Sequence, residues 1–252
     1  MKAMVLAAGR GERLRPLTDR LPKPLIPLAG KPLIHYTLTY LRNCGIREVI
    51  INLHHLGGQI QAYVRDGSAW GLSVTYSSEN ELLGTGGGIQ KAAPYLVRET
   101  FLVMNSDIVL ELDLGELVRF HREKEAAVTM VLRKDPEVDL YGAIEIDGYG
   151  QVRQFLGKIP VPRAPRKKLM FTGLHVLEPF VFSFMPSNAA TFSITDVYVA
   201  MIRAGERIMG YEMKGFWTDL GTRERYESFQ RLLNDSGFSL ERFVHGCRPQ
   251  GA

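Results

Sequence analysis

Short apolar runs alternate with segments of helical periodicity along the first hundred residues of the chain. The apolar runs, which predict strands, lie at residues 3–7, 49–53, 72–77 and 101–104. The helical segments between them lie at residues 32–42, 58–65 and 86–96. Strands that alternate with helices of this length form βαβ units, and such units build a mainly parallel sheet. The sequence therefore predicts an α/β fold.

The second half of the chain has a less regular pattern. Helices are predicted at residues 116–124, 194–204 and 224–233, strands at 127–132 and 169–177, and a β-hairpin over 141–156. No internal repeat or linker divides the chain. We expect one domain over residues 1–235, followed by a tail at 236–252.

A loop rich in glycine and arginine follows the first predicted strand. Gly9 and Gly11 let an anion approach the backbone N–H groups closely, and Arg10, Arg13 and Arg15 add positive charge. Such a loop suits a polyphosphate, because amides and cations can surround its oxygens. The loop lacks the third glycine of the dinucleotide fingerprint and the G-K-[ST] of a P-loop, which argues against an NAD-dependent oxidoreductase.

Composition and charge narrow the class of protein. Hydrophobic residues make up 45% and charged residues 23% of the 252 residues, which is typical of a soluble globular protein. The net charge of +4 suits anionic substrates and does not require nucleic acid as a partner. The two cysteines, Cys44 and Cys247, predict neither a disulfide framework nor a metal site. With no signal peptide and no apolar run that would span a membrane, we expect a cytoplasmic protein.

Two strings at the start of the chain carry a family resemblance. They are L-A-A-G-x-G-x-R-L-x-P-L-T at residues 6–18 and P-K-P-L at residues 22–25. Together they resemble the sugar-1-phosphate nucleotidylyltransferases, within which the short bacterial N-acetylmuramic acid 1-phosphate uridylyltransferases and mannose-1-phosphate guanylyltransferases are most similar. The resemblance implies a three-layer Rossmann-like sandwich with a mainly parallel mixed sheet, a nucleotide-binding part at about residues 1–110 and a sugar-binding part at about 111–235.

The resemblance also implies a reaction and a metal. A sugar 1-phosphate attacks the α-phosphorus of a nucleoside triphosphate, and pyrophosphate leaves. Arg13 and Lys23 match the family's catalytic cations, which contact the phosphates. Asp107 follows an apolar strand, and Asp219 lies in F-W-T-D-L-G-T, which is similar to the family's second metal-binding motif. These two aspartates are expected to hold Mg²⁺, which takes one or two carboxylates together with phosphate oxygens and waters.

The remaining site residues are also assigned by resemblance. The residues expected to contact the nucleotide lie mainly in the first loop and in the glycine-rich turn near residue 85. These residues are Leu6, Ala7, Ala8, Gly9, Gly11, Glu79, Thr85, Gly86 and Gly87. For Glu79, a contact to the base and simple exposure to water are both left open. The expected contacts to the sugar are Asn105, Tyr141, Gly142, Lys158, Thr172 and Gly173. A glutamate that the family often has beside Lys158 is absent, and Ser106 replaces a usual glycine.

The sequence leaves the substrates open. UTP with N-acetylmuramic acid 1-phosphate is slightly favoured by the Gly-Thr-Gly-Gly-Gly turn and the short chain. GTP with mannose- or heptose-1-phosphate is the alternative, and cytidylyl transfer to phosphocholine is a distant third. A non-catalytic regulatory relative is disfavoured because Arg13, Lys23, Asp107 and Asp219 are all retained. No nucleic acid and no membrane partner is expected, and a homodimer is left open.

Overall fold

The computed structural model describes residues 1–159, 166–187, 191–235 and 240–244. Its strands, numbered in chain order, are β1 (Lys2–Leu6), β2 (Pro27–Leu28), β3 (Lys31–Pro32), β4 (Glu48–Leu53), β5 (Ser73–Ser78), β6 (Phe101–Asn105), β7 (Ile108–Leu110), β8 (Val128–Arg133), β9 (Ile144–Ile146), β10 (Val152–Phe155), β11 (Lys167–Leu177), β12 (Ile208–Glu212) and β13 (Trp217–Asp219). Its α-helices are α1 (Leu33–Asn43), α2 (Gly57–Val64), α3 (Gly84–Lys91), α4 (Ala93–Leu96), α5 (Leu114–Glu123), α6 (Val138–Tyr141), α7 (Ile194–Arg203), α8 (Arg223–Asp235) and α9 (Glu241–Val244). None of the helices in these described ranges is both long and apolar enough to cross a membrane.

The predicted alternation of strands and helices is confirmed, with one clear error. The segment at residues 86–96, predicted as one helix, is two helices, α3 and α4, that meet at Ala92. Pro94 explains the break, because it has no N–H to donate to the carbonyl of Gln90 and its ring would collide with that carbonyl.

The chain forms two compact units that interleave along the sequence. The first unit contains residues 1–82, 104–115 and the described residues from 215 onward, and the second contains residues 83–103 and the described part of 116–214. Residues far apart in sequence, such as those near 10, 107 and 219, therefore belong to the same unit.

The first unit is built on the parallel strands β1, β4 and β5. Ala3 pairs with Val49 of β4, which in turn pairs with Val74 of β5. The interior residues of β1 are fully buried, as expected for a parallel strand covered on both faces. The carboxyl ends of these strands lead into the glycine-rich loop and Glu79, where the rule for open parallel sheets predicts that ligands bind.

A short antiparallel ribbon and the C-terminal helices complete the first unit. In the ribbon, β13 pairs with β7, and Asp219 lies opposite Ile108. Beneath it lies an apolar cluster, the C-terminal cluster, formed by Leu14, Ile26, Leu28, Leu33, Val109, Leu220, Tyr226, Phe229 and Phe243. Phe243 comes from α9, inside the segment expected to be a tail, and its side chain is 3% exposed.

Phe243 is expected to stabilise the first unit substantially. Its ring lies 5.5 Å from that of Phe216 and 6.3 Å from that of Phe229, measured between centroids. Removing a buried phenyl ring costs about 3 kcal/mol or more, so Phe243→Ala should lower the free energy of unfolding by about that amount in urea denaturation. Phe180→Ala is the control, because Phe180 is 50% exposed. Equal, small losses for both variants would show that α9 does not pack on the unit.

The second unit is a mixed sheet with α5 and α7. β11 pairs antiparallel with β8 and β9, β9 pairs antiparallel with β10, and β12 pairs parallel with β8. The hydroxyl of Tyr198 on α7 forms a hydrogen bond with Nδ1 of His175 on β11 at 2.6 Å. Burial lowers the pKa of His175 to about 3. The imidazole therefore stays neutral within the core.

One expectation about the cysteines is wrong. Cys44, directly after α1, is disulfide-bonded, although the sequence predicted no disulfide. The other cysteine of the chain, Cys247, lies outside the described residues.

Candidate active site

The glycine-rich loop is held in one conformation by its own neighbours. Gly11 has a φ of 66°, a left-handed value that favours glycine. Its carbonyl accepts hydrogen bonds from the Leu14 N–H at 2.9 Å and from the Thr18 hydroxyl at 2.8 Å. An added Cβ at Gly11 would lie 2.7 Å from Cγ2 of Thr18. The loop thus requires glycine here because of both its backbone angle and the close packing of Thr18.

A cavity of about 490 Å³ opens at this loop. Such a volume is ordinary for a pocket that takes a small molecule. The residues that line it are Gly9, Arg10, Gly11, Glu12, Arg13, Lys23, Leu82 and Gly221. The predicted catalytic residues Arg13 and Lys23 come from two separate sequence motifs, and both line this cavity.

Asn52 links the first loop to Glu79. The Oδ1 atom of Asn52 accepts the Ala7 N–H at 2.8 Å, and its Nδ2 atom donates to Oε1 of Glu79 at 2.7 Å. Asn52 and Glu79 are only 3% and 5% exposed. The Leu6 carbonyl accepts the Ser106 N–H at 3.2 Å. The structure thus places Leu6, Ala7 and Glu79 close together, and it uses the Ala7 amide internally.

The two aspartates belong to adjacent backbone segments, although more than a hundred residues separate them in sequence. Asp107 immediately precedes β7 and Asp219 ends β13, so the ribbon brings their backbones together. The Leu220 N–H donates to the Asp107 carbonyl at 2.9 Å. The ribbon, which no local pattern predicted, is what turns two separate motifs into one pair.

Each aspartate also has a cationic partner. Lys23 pairs with Oδ2 of Asp107, and both side chains are 14% exposed. Arg225, on the first turn of α8, pairs with Oδ2 of Asp219. The other oxygen of Asp219, Oδ1, accepts the Gly221 N–H at 2.9 Å.

Gly221 lies where these charged groups converge. A Cβ built on it would be 2.7 Å from Oδ1 of Asp219, 3.2 Å from an Nη atom of Arg13 and 3.4 Å from Nζ of Lys23. Two cations from the N-terminal motifs and one carboxylate from the C-terminal motif therefore surround a single glycine. Only a residue without a side chain leaves their positions undisturbed.

The two aspartates fit a magnesium ion better than a structural metal. Within the described ranges, no cluster of three or more His, Cys, Asp or Glu side chains could hold a metal ion. Mg²⁺ does not need such a cluster, because one or two carboxylates together with phosphate oxygens and waters complete its octahedron. Asp107 and Asp219 meet that requirement in number and in chemical type.

In the second unit, the glycine-rich turn is used for packing. The N–H groups of Gly86 and Gly87 donate to the Phe192 carbonyl at 3.0 and 3.3 Å. A Cβ on Gly86 would overlap the Phe192 ring. The Thr85 hydroxyl accepts the Ile194 N–H at 3.0 Å. The structure gives each of these groups an internal partner, and their expected contact with the nucleotide stays a prediction.

The predicted sugar contacts are placed unevenly. Thr172 is 1% exposed, and its hydroxyl donates to the Val131 carbonyl at 2.8 Å between β11 and β8. The following Gly173 has a φ of 87° at an irregularity of β11. Lys158 is exposed and pairs with Asp196 at 2.8 Å. Thr172 thus serves the sheet, whereas Lys158 is accessible.

The other predicted sugar contacts lie at the ends of short elements. Tyr141 ends α6, where the predicted hairpin was expected to begin, and its side chain lies outside the described ones. Gly142 follows with a φ of 91°. Asn105 ends β6 two residues before Asp107, in the first unit. The basic loop near residue 163 lies largely outside the described residues.

Sequence analysis missed two residues of the site. Asn52 was assigned no role from the sequence, because its bridge between Ala7 and Glu79 is a tertiary contact. Arg225 stands six residues after Asp219, a spacing that places it one turn into a following helix. The helix predicted directly after the aspartate motif was the only sequence signal for Arg225. The ion pair between Arg225 and Asp219 could be identified only from the structure.

Comparison with known proteins identifies the family of the chain. The sequence profile of the family described as "Nucleotidyl transferase" matches residues 2–236. The chain is 33% identical over 234 residues to a UTP–glucose-1-phosphate uridylyltransferase of Synechocystis sp., covering 88% of this chain and 60% of that protein. It is 35% identical to a mannose-1-phosphate guanylyltransferase of Mycobacterium tuberculosis, covering 89% and 62%. It thus spans about 60% of the length of these two relatives.

A shorter relative matches along nearly its whole length. The chain is 34% identical to an N-acetylmuramate alpha-1-phosphate uridylyltransferase of Neisseria meningitidis, covering 92% of this chain and 98% of that protein.

A solved structure shares the fold. A putative glucose-1-phosphate thymidylyltransferase from Bacillus anthracis superimposes with a TM-score of 0.80 at 23% identity, covering 96% of this chain and 98% of that one. This confirms the predicted Rossmann-like α/β fold. The match over residues 2–236, together with relatives above 30% identity, shows that this chain belongs to the nucleotidyl transferase family.

Proposed function

We propose that the chain transfers a nucleotidyl group from a nucleoside triphosphate to a sugar 1-phosphate. The observation that carries the proposal is the convergence of Arg13, Lys23 and Asp219 on Gly221, at a cavity lined by the glycine-rich loop. Two cations and a carboxylate therefore meet at the cavity, and a reaction between two phosphates needs positive charge to offset their repulsion.

In the proposed reaction, an oxygen of the sugar 1-phosphate forms a bond to the α-phosphorus of the triphosphate. The bond from that phosphorus to the oxygen bridging the β-phosphate breaks, and pyrophosphate leaves with both electrons. No protein nucleophile is required, because positioning and charge stabilisation supply most of the catalysis in phosphoryl transfer.

Arg13 and Lys23 would offset the repulsion between the reacting anions. Two unit charges 4 Å apart repel each other by about 4 kcal/mol at an effective dielectric constant of 20. A guanidinium also offers paired N–H donors that match phosphate oxygens. We therefore assign Arg13 to the triphosphate and the departing pyrophosphate, and Lys23 to the phosphates near the attacking oxygen.

Asp107 and Asp219 would hold Mg²⁺. When bound, this ion neutralises phosphate charge and helps to align the reacting groups. The assignment is supported by the ribbon, in which Asp219 lies opposite Ile108, the residue after Asp107, and by the hydrogen bond from the Leu220 N–H to the Asp107 carbonyl. Lys23 and Arg225, which pair with the carboxylates, orient the two aspartates.

The base would lie near Asn52 and Glu79. Because Asn52 donates to Glu79, it fixes the carboxylate as an acceptor near the end of β5. An acceptor at this place selects a base that presents N–H donors. Leu6, Ala7, Ala8 and Gly9 would supply the backbone beside the ring.

For the substrates, we propose UTP with N-acetylmuramic acid 1-phosphate. The support is the relative from Neisseria meningitidis, which matches this chain over 98% of its own length. GTP with mannose- or heptose-1-phosphate is the second candidate. The buried carboxylate of Glu79 favours it, because guanine presents two neighbouring N–H donors and uracil presents one.

The test is pyrophosphate release with Mg²⁺ across the four ribonucleoside triphosphates and dTTP. Each is paired with the 1-phosphates of N-acetylmuramic acid, mannose, glucose and heptose. We expect release with UTP and N-acetylmuramic acid 1-phosphate, and loss of release in Arg13→Ala. Release with GTP and mannose or heptose 1-phosphate would establish the second candidate. Absence of release with every pair, from folded protein, would contradict the proposed activity and favour a non-catalytic relative.

A further inference from the structure

Arg225 is held firmly beside Asp219. Its backbone N–H donates to the Thr222 hydroxyl at 3.3 Å, which caps the start of α8. The next residue, Tyr226, is 7% exposed, and its hydroxyl donates to the Pro27 carbonyl at 2.6 Å. These contacts hold the first turn of α8 in place on both sides of Arg225. They thereby fix the position from which the Arg225 guanidinium pairs with the Asp219 carboxylate.

Both oxygens of Asp219 are engaged. Oδ1 accepts the Gly221 N–H at 2.9 Å, and Oδ2 takes the guanidinium of Arg225. The two paired side chains are 24% and 19% exposed, so water screens the pair only partly. A divalent cation that binds Asp219 must therefore share Oδ2 with Arg225 or displace it.

We propose that Arg225 is a positioning residue that competes with the divalent cation for Asp219 and so makes cation binding depend on the nucleotide. A nearby positive charge opposes the binding of a second cation to the same carboxylate. The phosphates of a bound nucleotide add oxygen ligands and negative charge, which offset that opposition. Because coupling between two ligands is reciprocal, the nucleotide and the cation strengthen each other's binding.

The structure favours Arg225 over Lys23 as the residue that makes cation binding depend on the nucleotide. Lys23 lines the cavity and is assigned to the phosphates, so changing it would alter the chemistry as well as the metal site. Arg225 is not among the described residues that line the cavity, and it acts through Asp219. The inference rests on the proposed function, because it takes Asp107 and Asp219 as the metal-binding pair.

The test measures Mn²⁺ binding to the full chain without nucleotide, by isothermal titration calorimetry and by the electron paramagnetic resonance signal of free Mn²⁺. Arg225→Gln should bind Mn²⁺ about tenfold more tightly than the unchanged protein, since one competing charge is lost. Arg225→Lys, which keeps the charge, should stay within about twofold of the unchanged protein. Adding UTP should increase the Mn²⁺ affinity less in Arg225→Gln than in the unchanged protein.

A matched control is available on the same helix. Arg223 pairs with Glu227 at 2.6 Å, with both side chains well exposed. Arg223→Gln changes the net charge of the protein by the same amount as Arg225→Gln, so it reports any general effect of charge. It should leave Mn²⁺ affinity unchanged. Thermal denaturation of each variant verifies that it is folded at the temperature of the titration.

The outcomes separate this inference from the proposed function. Asp219→Asn should weaken Mn²⁺ binding whether or not Arg225 is changed. If Asp219→Asn weakens binding but Arg225→Gln binds no more tightly than Arg223→Gln, the role of Arg225 is refuted and the metal pair stands. If Asp219→Asn leaves Mn²⁺ binding unchanged, the metal pair itself is refuted, and the inference falls with it.

Discussion

Replacing Asp219 with asparagine is expected to lower kcat by about 10³-fold, and Asp107→Asn should do the same, because each removes a charged ligand worth several kcal/mol to the transition state. Asparagine keeps the shape of the side chain and an oxygen that can accept the Gly221 N–H. The loss therefore reports the missing charge rather than a collapsed loop. Steady-state pyrophosphate release at saturating substrates measures it.

The double variant sharpens this prediction. If Asp107 and Asp219 hold one ion, removing the second ligand after the first adds little, so Asp107→Asn with Asp219→Asn should resemble either single variant. Two losses that multiply would instead indicate separate roles. Glu48→Gln is the control for a change from carboxylate to amide, since Glu48 is exposed and pairs only on the surface, with Lys2 at 2.8 Å.

Gly221→Ala is the second large effect we expect. The new methyl group would lie 2.7 Å from Oδ1 of Asp219, closer than such atoms pack, and it would press on Arg13 and Lys23. Displacement of reacting groups by about 1 Å costs about 10²-fold in rate, so kcat/KM should fall by about that factor. The midpoint of thermal denaturation should change little, because the strained contacts are with side chains at the edge of the cavity.

Gly58→Ala controls for the loss of a glycine in the same unit. Nothing lies within 4 Å of a Cβ built on Gly58, which is on α2. The activity of the Gly58→Ala variant should therefore match that of the unchanged protein. Full activity of Gly221→Ala would mean that Arg13, Lys23 and Asp219 do not act together at this position. Such a result would remove the observation on which the proposed function depends.

The sequence alone predicted the features that depend on residues close together along the chain. The strands β1 and β4 are mainly apolar, and the burial of their apolar residues in a parallel sheet follows from that pattern. The loop after β1 was predicted as an anion site because its glycines and arginines are adjacent in sequence. The structure places Arg13 and Lys23 at one cavity, as that prediction requires.

The contacts that sequence could not predict are tertiary. The ribbon of β7 and β13 pairs short strands more than a hundred residues apart, and strands of three residues carry almost no periodic signal. The ion pair of Arg225 with Asp219 depends on the angle at which α8 leaves the ribbon. Neither follows from spacing along the chain, although both determine how the carboxylates are presented.

The glycine-rich turn shows how one sequence feature supports two interpretations. Gly86 was expected to let the backbone approach a base, and the structure uses it to admit the Phe192 ring and to donate to the Phe192 carbonyl. Both uses require a residue without a side chain. The packing depends on Phe192, more than a hundred residues later in the chain, and the contact with a base stays a prediction.

The most direct test of the central claim follows the α-phosphorus. The protein is incubated with Mg²⁺, a sugar 1-phosphate accepted in the substrate panel, and the matching triphosphate labelled at its α-phosphate. Nucleotidyl transfer predicts that the label appears in the nucleotide sugar, with one unlabelled pyrophosphate released for each. Label found only in a nucleoside mono- or diphosphate, with none joined to the sugar, would contradict the account.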